Sequence, residues 1–336
     1  MKLSKIGEFG LINDVIAPEF KTLVKKNFQG IGDDCSIIPV NEKVSHIFTT
    51  DMLVEKTHFL RDKITPYQLG FKSLAVNLSD IAAMGGKPTA SYLSVGFPED
   101  IEVEWVEEFL KGYKSLSEKE NVPLLGGDTT GSKNEIVINV GVEGEIETSR
   151  LKYRSSAKKD DIICVSGFLG DSSAGLQCIL NNIPENASTK RLYDQHLTPY
   201  PHVAEGQWLA QFNSVHAMID VSDGIGSDLK HILKASGKAA VVEIESIPIS
   251  EELKDVCRNN DWNPYELAVS GGEDYVLLFT VDPREYDKLA ESFQQFFSKP
   301  IYPIGMIAEG KPKIQFRNYG KENPDLNKGY SHFFEK

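Results

Sequence analysis

Six short segments of this 336-residue chain place an acidic residue beside glycine, serine or threonine, and they fall in both halves of the sequence. We interpret them as tight turns, several of them at strand ends. Carboxylates gathered in one place cannot all stay ionised unless cations neutralise them. A fold that brings these segments together is therefore predicted to bind Mg²⁺ and the phosphates that Mg²⁺ carries. The segments are Gly32-Asp33-Asp34, Thr49-Thr50-Asp51, Leu78-Ser79-Asp80, Gly126-Gly127-Asp128-Thr129, Asp220-Val221-Ser222-Asp223-Gly224 and Gly271-Gly272-Glu273-Asp274.

Apolar periodicity predicts an α+β fold with a sheet and helices in each half of the chain. The first half is predicted to hold strands over 46–51, 90–97, 122–125, 136–140 and 142–146 and helices over 65–84 and 102–119. The second half is predicted to hold strands over 162–165, 217–221, 241–244, 275–281 and 301–307 and helices over 169–180, 225–234, 250–258 and 284–297. The helix that follows Ser222-Asp223-Gly224 begins with free backbone N–H groups, which suit a phosphate.

A charged, serine-rich connection over residues 150–161 is the best candidate for a domain boundary. We therefore expect two domains, one over residues 1–148 and one over residues 149–336. The hydrophobic content of 40% is enough to fill two cores. Metal ligands fall in both halves, so the site is expected in the cleft between the domains.

The overall charge excludes some classes of partner. Acidic residues outnumber basic ones by 49 to 36, and the net charge of −13 repels nucleic acid and anionic membrane surfaces. The start of the chain does not resemble a secretory signal, and no apolar run approaches membrane-spanning length, so we expect a cytoplasmic protein. The four cysteines are far apart and lack zinc-like spacing, and we expect reduced, mostly buried thiols.

The common nucleotide-binding signatures are missing. The chain has neither a P-loop, with its phosphate-binding lysine, nor a complete G-x-G-x-x-G after a strand. An ATP site in this chain would need Mg²⁺ held by carboxylates, assisted by backbone N–H groups of the glycine segments.

The six segments, in this order and spacing, resemble those of the thiamine-monophosphate kinase family over nearly the whole chain. The resemblance implies a fold like that of aminoimidazole ribonucleotide synthetase, with two domains that each carry a mostly antiparallel or mixed sheet with helices on one face. It also implies several Mg²⁺ ions, ATP as co-substrate, thiamine monophosphate as acceptor, and a homodimer built through the sheet of the first domain. The first domain would bind ATP and Mg²⁺, and the second would complete the active site.

The resemblance also implies roles for individual residues. Metal ligands are expected at Asp33, Thr49, Thr50, Asp51, Asp80, Asp128, Asp220 and Asp223. Contacts to ATP are expected at Tyr113, Gly127, Asp128, Arg154 and Ser222, and contacts to thiamine monophosphate at His58, Glu273 and Tyr330. The ring face of Tyr330 suits a cationic thiazolium, and Glu273 would accept a hydrogen bond from the aminopyrimidine or ligate a metal ion. Without this context, His58 and Tyr330 would be ordinary structural residues.

The expected reaction is direct transfer of the γ-phosphoryl group, without a phospho-enzyme and without a catalytic base. A phosphate monoester is already largely ionised near neutrality, because its second pKa is about 6. Two alternatives stay open: another ATP-using member of the same superfamily, such as a selenophosphate or aminoimidazole ribonucleotide synthetase-like enzyme, and a non-catalytic nucleotide-binding module. Clustered carboxylates without a metal would only destabilise such a module.

Overall fold

The computed structural model describes residues 3–322, which form two β-sheets and the helices that pack on them. The strands are β1 Ser36–Pro39, β2 Val44–Val54, β3 Lys87–Phe97, β4 Leu124–Gly131, β5 Val137–Glu147, β6 Ile162–Val165, β7 Val215–Asp220, β8 Ala239–Glu243, β9 Leu277–Val281, β10 Tyr302–Ala308, β11 Ile314–Asn318 and β12 Lys321–Glu322. The α-helices are α1 Gly7–Gly10, α2 Ala17–Phe20, α3 Pro66–Ala83, α4 Val103–Glu120, α5 Asp171–Leu180, α6 Ala187–Leu197, α7 Val203–Leu209, α8 Ile225–Ser236, α9 Glu251–Asn260, α10 Pro264–Ser270 and α11 Tyr286–Phe297.

The first sheet has five strands in the order β1-β2-β5-β3-β4. Residues along β2 alternate between buried and accessible because one face of the strand packs against helix α3. The other face of the sheet leaves Ile38 of β1 and Phe48 and Met52 of β2 exposed. The first unit is therefore a sheet with helices on one face and an uncovered, partly apolar second face.

Helix α3 lies between the two units of the molecule. Thr65 begins it with a capping box, in which Thr65 and Gln68 each accept from the other's backbone N–H. The helix contacts α4, β2 and β5 of the first unit and also α7 and β7 of the second. Its side chains are buried on nearly all sides, so α3 can carry functional groups to the junction of the two units.

The second sheet has seven strands in the order β12-β11-β8-β10-β6-β9-β7. Its neighbouring strands are antiparallel except β8 and β11, which run parallel. Apolar side chains of the sheet pack with those of α5, α8 and α9 in one core. The predicted α+β class, with two domains built on antiparallel or mixed sheets and helices, is confirmed.

The first sheet ends at Glu147 and the second begins at Ile162. The intervening segment holds two 3₁₀ turns, Thr148–Arg150 and Arg154–Ser156. The proposed division at residue 148 stays a prediction. The four cysteines are free and buried, as expected. Within the described part of the chain, every helix is too short or too polar to cross a membrane.

Two of the six acidic segments lie in strands rather than in the turns that we expected, and a third lies in the helix predicted over residues 65–84. Asp51 lies inside β2, which continues to Val54 because its ladder with β5 continues. Asp128 lies inside β4, and Asp80 lies in the last turn of α3. The β-branched neighbours of Asp51 favour a strand, and an edge strand such as β4 tolerates glycine.

Candidate active site

A cavity of about 770 Å³ lies between the two units, and residues of both units line it. Strand β2 and helix α3 contribute from the first unit, and the segments after β7 and before β9 contribute from the second. Most of the predicted site residues line this cavity. They are Asp33, Thr49, Thr50, Asp51, His58, Asp80, Arg154, Asp220, Ser222, Asp223 and Glu273.

Three carboxylates from distant parts of the chain meet in this cavity. One oxygen of each of Asp34, Asp80 and Asp220 lies within 4.8 Å of the other two. Burial and then the neighbouring carboxylates raise the pKa of Asp80 well above its usual value. Burial and then Asp34 raise the pKa of Asp220 to about 7. Carboxylate oxygens are the hard ligands that Mg²⁺ prefers, and only one of these three carboxylates is paired with an arginine, so these residues fit a magnesium site.

Hydrogen bonds fix each carboxylate of this cluster. Thr49 Oγ1 donates to Asp80 Oδ2 at 2.5 Å, and Ser79 Oγ donates to Asp220 Oδ2 at 2.6 Å. The Arg154 guanidinium donates to both oxygens of Asp34, from Nη2 at 2.8 Å and from Nε at 3.1 Å. The Ser79 contact joins α3 to β7 and so ties the two units together at the cluster.

Asp34, which we did not single out from the sequence, belongs to the cluster. Asp33 lines the same cavity, but its hydrogen bonds are to residues outside the cluster. Asp33 accepts hydrogen bonds from the Arg154 backbone N–H at 2.8 Å and from the Gln29 side chain. Two adjacent aspartates on an irregular segment turn in different directions, and the sequence does not say which one faces the cluster. The only signal was the Asp-Asp pair itself.

Thr50 and Asp51 lie on opposite faces of β2. Asp51 is on the face toward α3, where its backbone N–H donates to Asn77 Oδ1 at 2.9 Å. Burial, with a smaller effect of Glu8, raises the Asp51 pKa to about 6. Thr50 Oγ1 donates to the Val140 carbonyl at 3.1 Å.

The segment after β7 forms a second part of the site, next to the N-terminus of α8. Gly224 has φ of 92°, which favours glycine, and leads into the helix. Asp228, in the first turn of α8, accepts from the Asp223 backbone N–H at 3.2 Å. Burial and then Asp223 raise the Asp228 pKa well above its usual value. Asp228 is a further acidic residue of the cavity that the sequence did not single out.

A third part of the cavity surrounds Glu273. Lys72 Nζ lies 3.1 Å from Glu273 Oε2, and His196 Nδ1 lies 3.2 Å from the same oxygen. His196 Nδ1 also lies 3.0 Å from Ser172 Oγ. Sequence reasoning missed Lys72, His196 and Ser172, although Lys72 is the only basic residue in the otherwise largely apolar α3. His58 also lines the cavity, and its Nδ1 accepts from the Val54 backbone N–H at 2.9 Å.

The remaining predicted residues are not among those that line the cavity. Tyr113 is buried in the core of the first unit, with 2% of its surface exposed. Gly127 and Asp128 lie on β4, an edge strand whose residues are all exposed. Tyr330 lies outside the described residues.

Comparisons with known proteins find similarity over both units of the chain. The N-terminal domain of AIR synthase related protein matches residues 32–146, and the C-terminal domain of the same family matches residues 158–316. A thiamine-monophosphate kinase from Salmonella typhimurium is 38% identical over 306 residues, which cover 90% of this chain and 91% of the relative. The thiamine-monophosphate kinase from Haemophilus influenzae is 36% identical, and the match covers 98% of this chain and 99% of the relative.

Solved structures are similar over the same extent. The structure described as AaThiL complexed with AMPPCP and TMP has a TM-score of 0.85 at 35% identity, with 99% of both chains covered. The thiamine monophosphate kinase from Aquifex aeolicus gives a TM-score of 0.80 at 35% identity over 96% of this chain and 99% of that one. The two domain models together, and each relative on its own, match more than half of the chain. The chain therefore belongs to the thiamine-monophosphate kinase family within the AIR synthase related proteins.

Proposed function

We propose that this chain transfers the γ-phosphoryl group of ATP to thiamine monophosphate and so forms thiamine diphosphate. The observation that carries the proposal is a single cavity that holds both the Asp34, Asp80 and Asp220 cluster and the Glu273 group. The solved relative that binds AMPPCP and TMP supports the same pair of ligands.

Mg²⁺ would be held by Asp34, Asp80 and Asp220, with Asp51 and Thr49 at the same wall of the cavity. When bound, it supplies the positive charge that offsets the repulsion between two phosphate groups. Asp33, Thr50 and Asp223 as metal ligands, and Arg154, Ser222 and Gly127 as ATP contacts, stay predictions, as does a cytoplasmic location.

The chain's own residues act by binding and orientation. The acceptor phosphate is already ionised, so no residue has to remove a proton from it. What the site must supply is alignment of two anions, and alignment alone lowers a barrier substantially. The hydrogen bonds from Thr49, Ser79 and Arg154 hold the carboxylates in place before either substrate binds.

An assay with several acceptors tests this function. With Mg²⁺ and ATP, we expect ADP release to depend on thiamine monophosphate and ³¹P NMR to detect thiamine diphosphate. Thiamine and aminoimidazole ribonucleotides should give no release above background. Release that is independent of thiamine monophosphate, or labelled phosphate trapped on the protein, would contradict direct transfer.

We further propose that the active form is a homodimer whose partner copy brings Asp128 to the cavity. The register aligns Asp128 with Ser94, Ser94 with Asn139 and Asn139 with Met52, so these residues share the sheet face that points away from α3. Three strand spacings separate Asp128 from Met52, which is about 14 Å. Ile38, Phe48 and Met52 expose apolar surface on this same face, as a dimer interface requires.

Mixed dimers test the role of Asp128. Asp128→Asn and Asp220→Asn should each be inactive alone. If a two-fold symmetric dimer supplies Asp128 across its interface, equal mixtures after subunit exchange should regain about a quarter of wild-type activity, because half of the dimers carry one intact site. Sedimentation should find dimers at micromolar concentration. Mixtures that stay inactive although exchange is demonstrated would place Asp128 in its own chain's site, and an Asp128→Asn protein that is active alone would place it outside any site.

A further inference from the structure

Lys72 is a buried cation that joins the two units at the wall of the cavity. Its side chain is 1% exposed, and its Nζ donates to Glu273 Oε2 and to the His196 carbonyl, both at 3.1 Å. Lys72 belongs to α3 of the first unit, whereas Glu273 and His196 belong to the second. The lysine therefore fixes the position of the glutamate relative to α3, which also carries Asp80.

A buried lysine destabilises the folded protein unless its partners compensate for the lost hydration. An ammonium group that leaves water loses its hydration, and an ion pair offsets this loss only when its geometry is good. The neighbours Leu69, Leu74 and Val76 on α3 are buried and apolar, so an apolar residue would fit the helix better.

Of the three residues Lys72, His196 and Glu273, only Lys72 and Glu273 carry a charge. Burial, and then Lys72, lower the pKa of His196 to about 3, so His196 is neutral and contributes an N–H rather than a charge. Burial alone would favour the neutral acid of Glu273, but Lys72 lowers its pKa. Glu273 is therefore an ionised hydrogen-bond acceptor in a largely dry place.

The glutamate is also held by its backbone and still reaches the cavity. Its φ of 64° is unusual for a residue with a side chain, and its N–H donates to the Ser222 carbonyl at 2.8 Å. The side chain keeps 26% of its surface exposed. The contacts from Lys72 and His196 both use Oε2.

An apolar wall adjoins this polar group. Val76 lies one helical turn after Lys72, Leu176 lies one turn after Ser172, and Leu197 follows His196. All three line the cavity. A flat, weakly polar ring that carries an N–H donor on one edge matches a carboxylate set among such side chains.

We propose that Lys72 is a positioning residue for the acceptor substrate: it holds the Glu273 carboxylate ionised and fixed, so that this carboxylate accepts a hydrogen bond from the exocyclic amino group of an aminopyrimidine. This inference rests on the proposed function and adds the residue that sets the orientation of the organic half of the substrate. Lys72 itself does not touch the reacting phosphates.

The test compares Lys72→Met, Lys72→Arg, Glu273→Gln and the double variant Lys72→Met with Glu273→Gln. For Lys72→Met we expect the KM for thiamine monophosphate to rise about 10- to 100-fold, because the substrate loses one hydrogen bond to a charged group. The KM for ATP should stay within about twofold. Lys72→Arg should keep most of the affinity. The double variant should regain the melting temperature that Lys72→Met loses, because no buried charge is left unpaired, but it should not regain the affinity.

A substrate analogue gives a measurement that does not depend on how well the variants fold. The oxo analogue of thiamine monophosphate, in which a carbonyl oxygen replaces the amino group, puts an acceptor where the natural substrate has its exocyclic donor. The wild-type protein should discriminate against it by about 100-fold or more in kcat/KM. Lys72→Met and Glu273→Gln should lose most of this discrimination.

Lys152→Met is the matched control for the burial of a lysine. Lys152 is 5% exposed, and its Nζ donates to the carbonyls of Phe212 and Val215, both at 2.8 Å, outside the cavity lining. Its loss should lower the melting temperature without changing either KM. If Lys72→Met behaves like Lys152→Met, or if the wild type accepts the oxo analogue as well as the natural substrate, the inference is overturned. If the wild type does not phosphorylate thiamine monophosphate at all, the proposed function itself is wrong, whatever the variants do.

Discussion

Replacing Asp80 with asparagine is expected to lower kcat/KM by about 1,000-fold and, at the same time, to raise the melting temperature of the metal-free protein. Asp80 lies within 4.8 Å of carboxylates from Asp34 and Asp220, and the single charge of Arg154, paired with Asp34, does not offset the repulsion among the three. Asparagine keeps the oxygen that accepts from Thr49 and removes one negative charge. The change therefore relieves repulsion in the empty site and removes a ligand from the loaded one.

Melting temperatures in EDTA and in Mg²⁺, together with steady-state kinetics, measure both effects. Mg²⁺ should stabilise the wild-type protein more than Asp80→Asn, because a ligand that binds the folded state adds a stability that grows with the logarithm of its affinity. A melting temperature that falls in EDTA, or activity that stays near the wild-type value, would show that Asp80 is an ordinary structural residue.

Asp161→Asn is the control for this experiment. Asp161 is also buried, but His216 Nδ1 lies 2.9 Å from both of its carboxylate oxygens, and the Lys158 backbone N–H donates to it. Removing a paired carboxylate should lower the melting temperature equally with and without Mg²⁺ and leave kcat/KM nearly unchanged. The opposite signs expected for the two variants separate a carboxylate that faces two other carboxylates from a carboxylate that is hydrogen-bonded by a histidine and a backbone N–H.

The sequence was sufficient to predict the fold class, and most of the predicted site residues line the cavity. Apolar periodicity located α3, α4, α8 and α11 to within a few residues of their observed bounds. That success has a physical cause, since helices that bury one or more faces must repeat apolar residues at the helical period.

Local turn chemistry was a weaker guide. It treated Asp51 and Asp128 as turn residues, although pairing with neighbouring strands extends β2 and β4 through them. It also favoured Asp33, whereas the position of Arg154, which is 120 residues away, directs Asp34 into the cluster. Lys72 illustrates the same limit, because its partners are reached only after the two units pack together. Side-chain direction depends on contacts that no local pattern contains.

The segment that carries Glu273 packs against the segment that carries Ser222 at a distance that only glycine permits. A Cβ added at Gly272 would lie 2.2 Å from the Ser222 carbonyl oxygen and 3.1 Å from Asp223 Cα. Both atoms belong to backbone, so neither can rotate away. Hydrogen bonds hold the two segments together, including one from Tyr275 N–H to the Val221 carbonyl at 2.9 Å.

Gly272→Ala is therefore expected to force the two segments apart by about an ångström and to lower kcat/KM by about 100-fold, because displacements of this size spoil the alignment of reacting groups. The proposed contacts of both substrates would be affected, since Ser222 stands on one segment and Glu273 on the other. The KM values for ATP and for thiamine monophosphate should both rise, which distinguishes this variant from Lys72→Met. Kinetics with each substrate varied in turn measure the two effects.

Gly96→Ala provides the matched control for Gly272→Ala. An added Cβ at Gly96 meets its nearest atoms at 3.7 Å, which is ordinary van der Waals contact, and the residue lies on β3 away from the cavity lining. Its activity should stay near the wild-type value. A Gly272→Ala protein with normal kinetics would mean that the contact between the two segments tolerates an ångström of movement. Alignment of the two phosphates would then have to come from the carboxylate cluster alone.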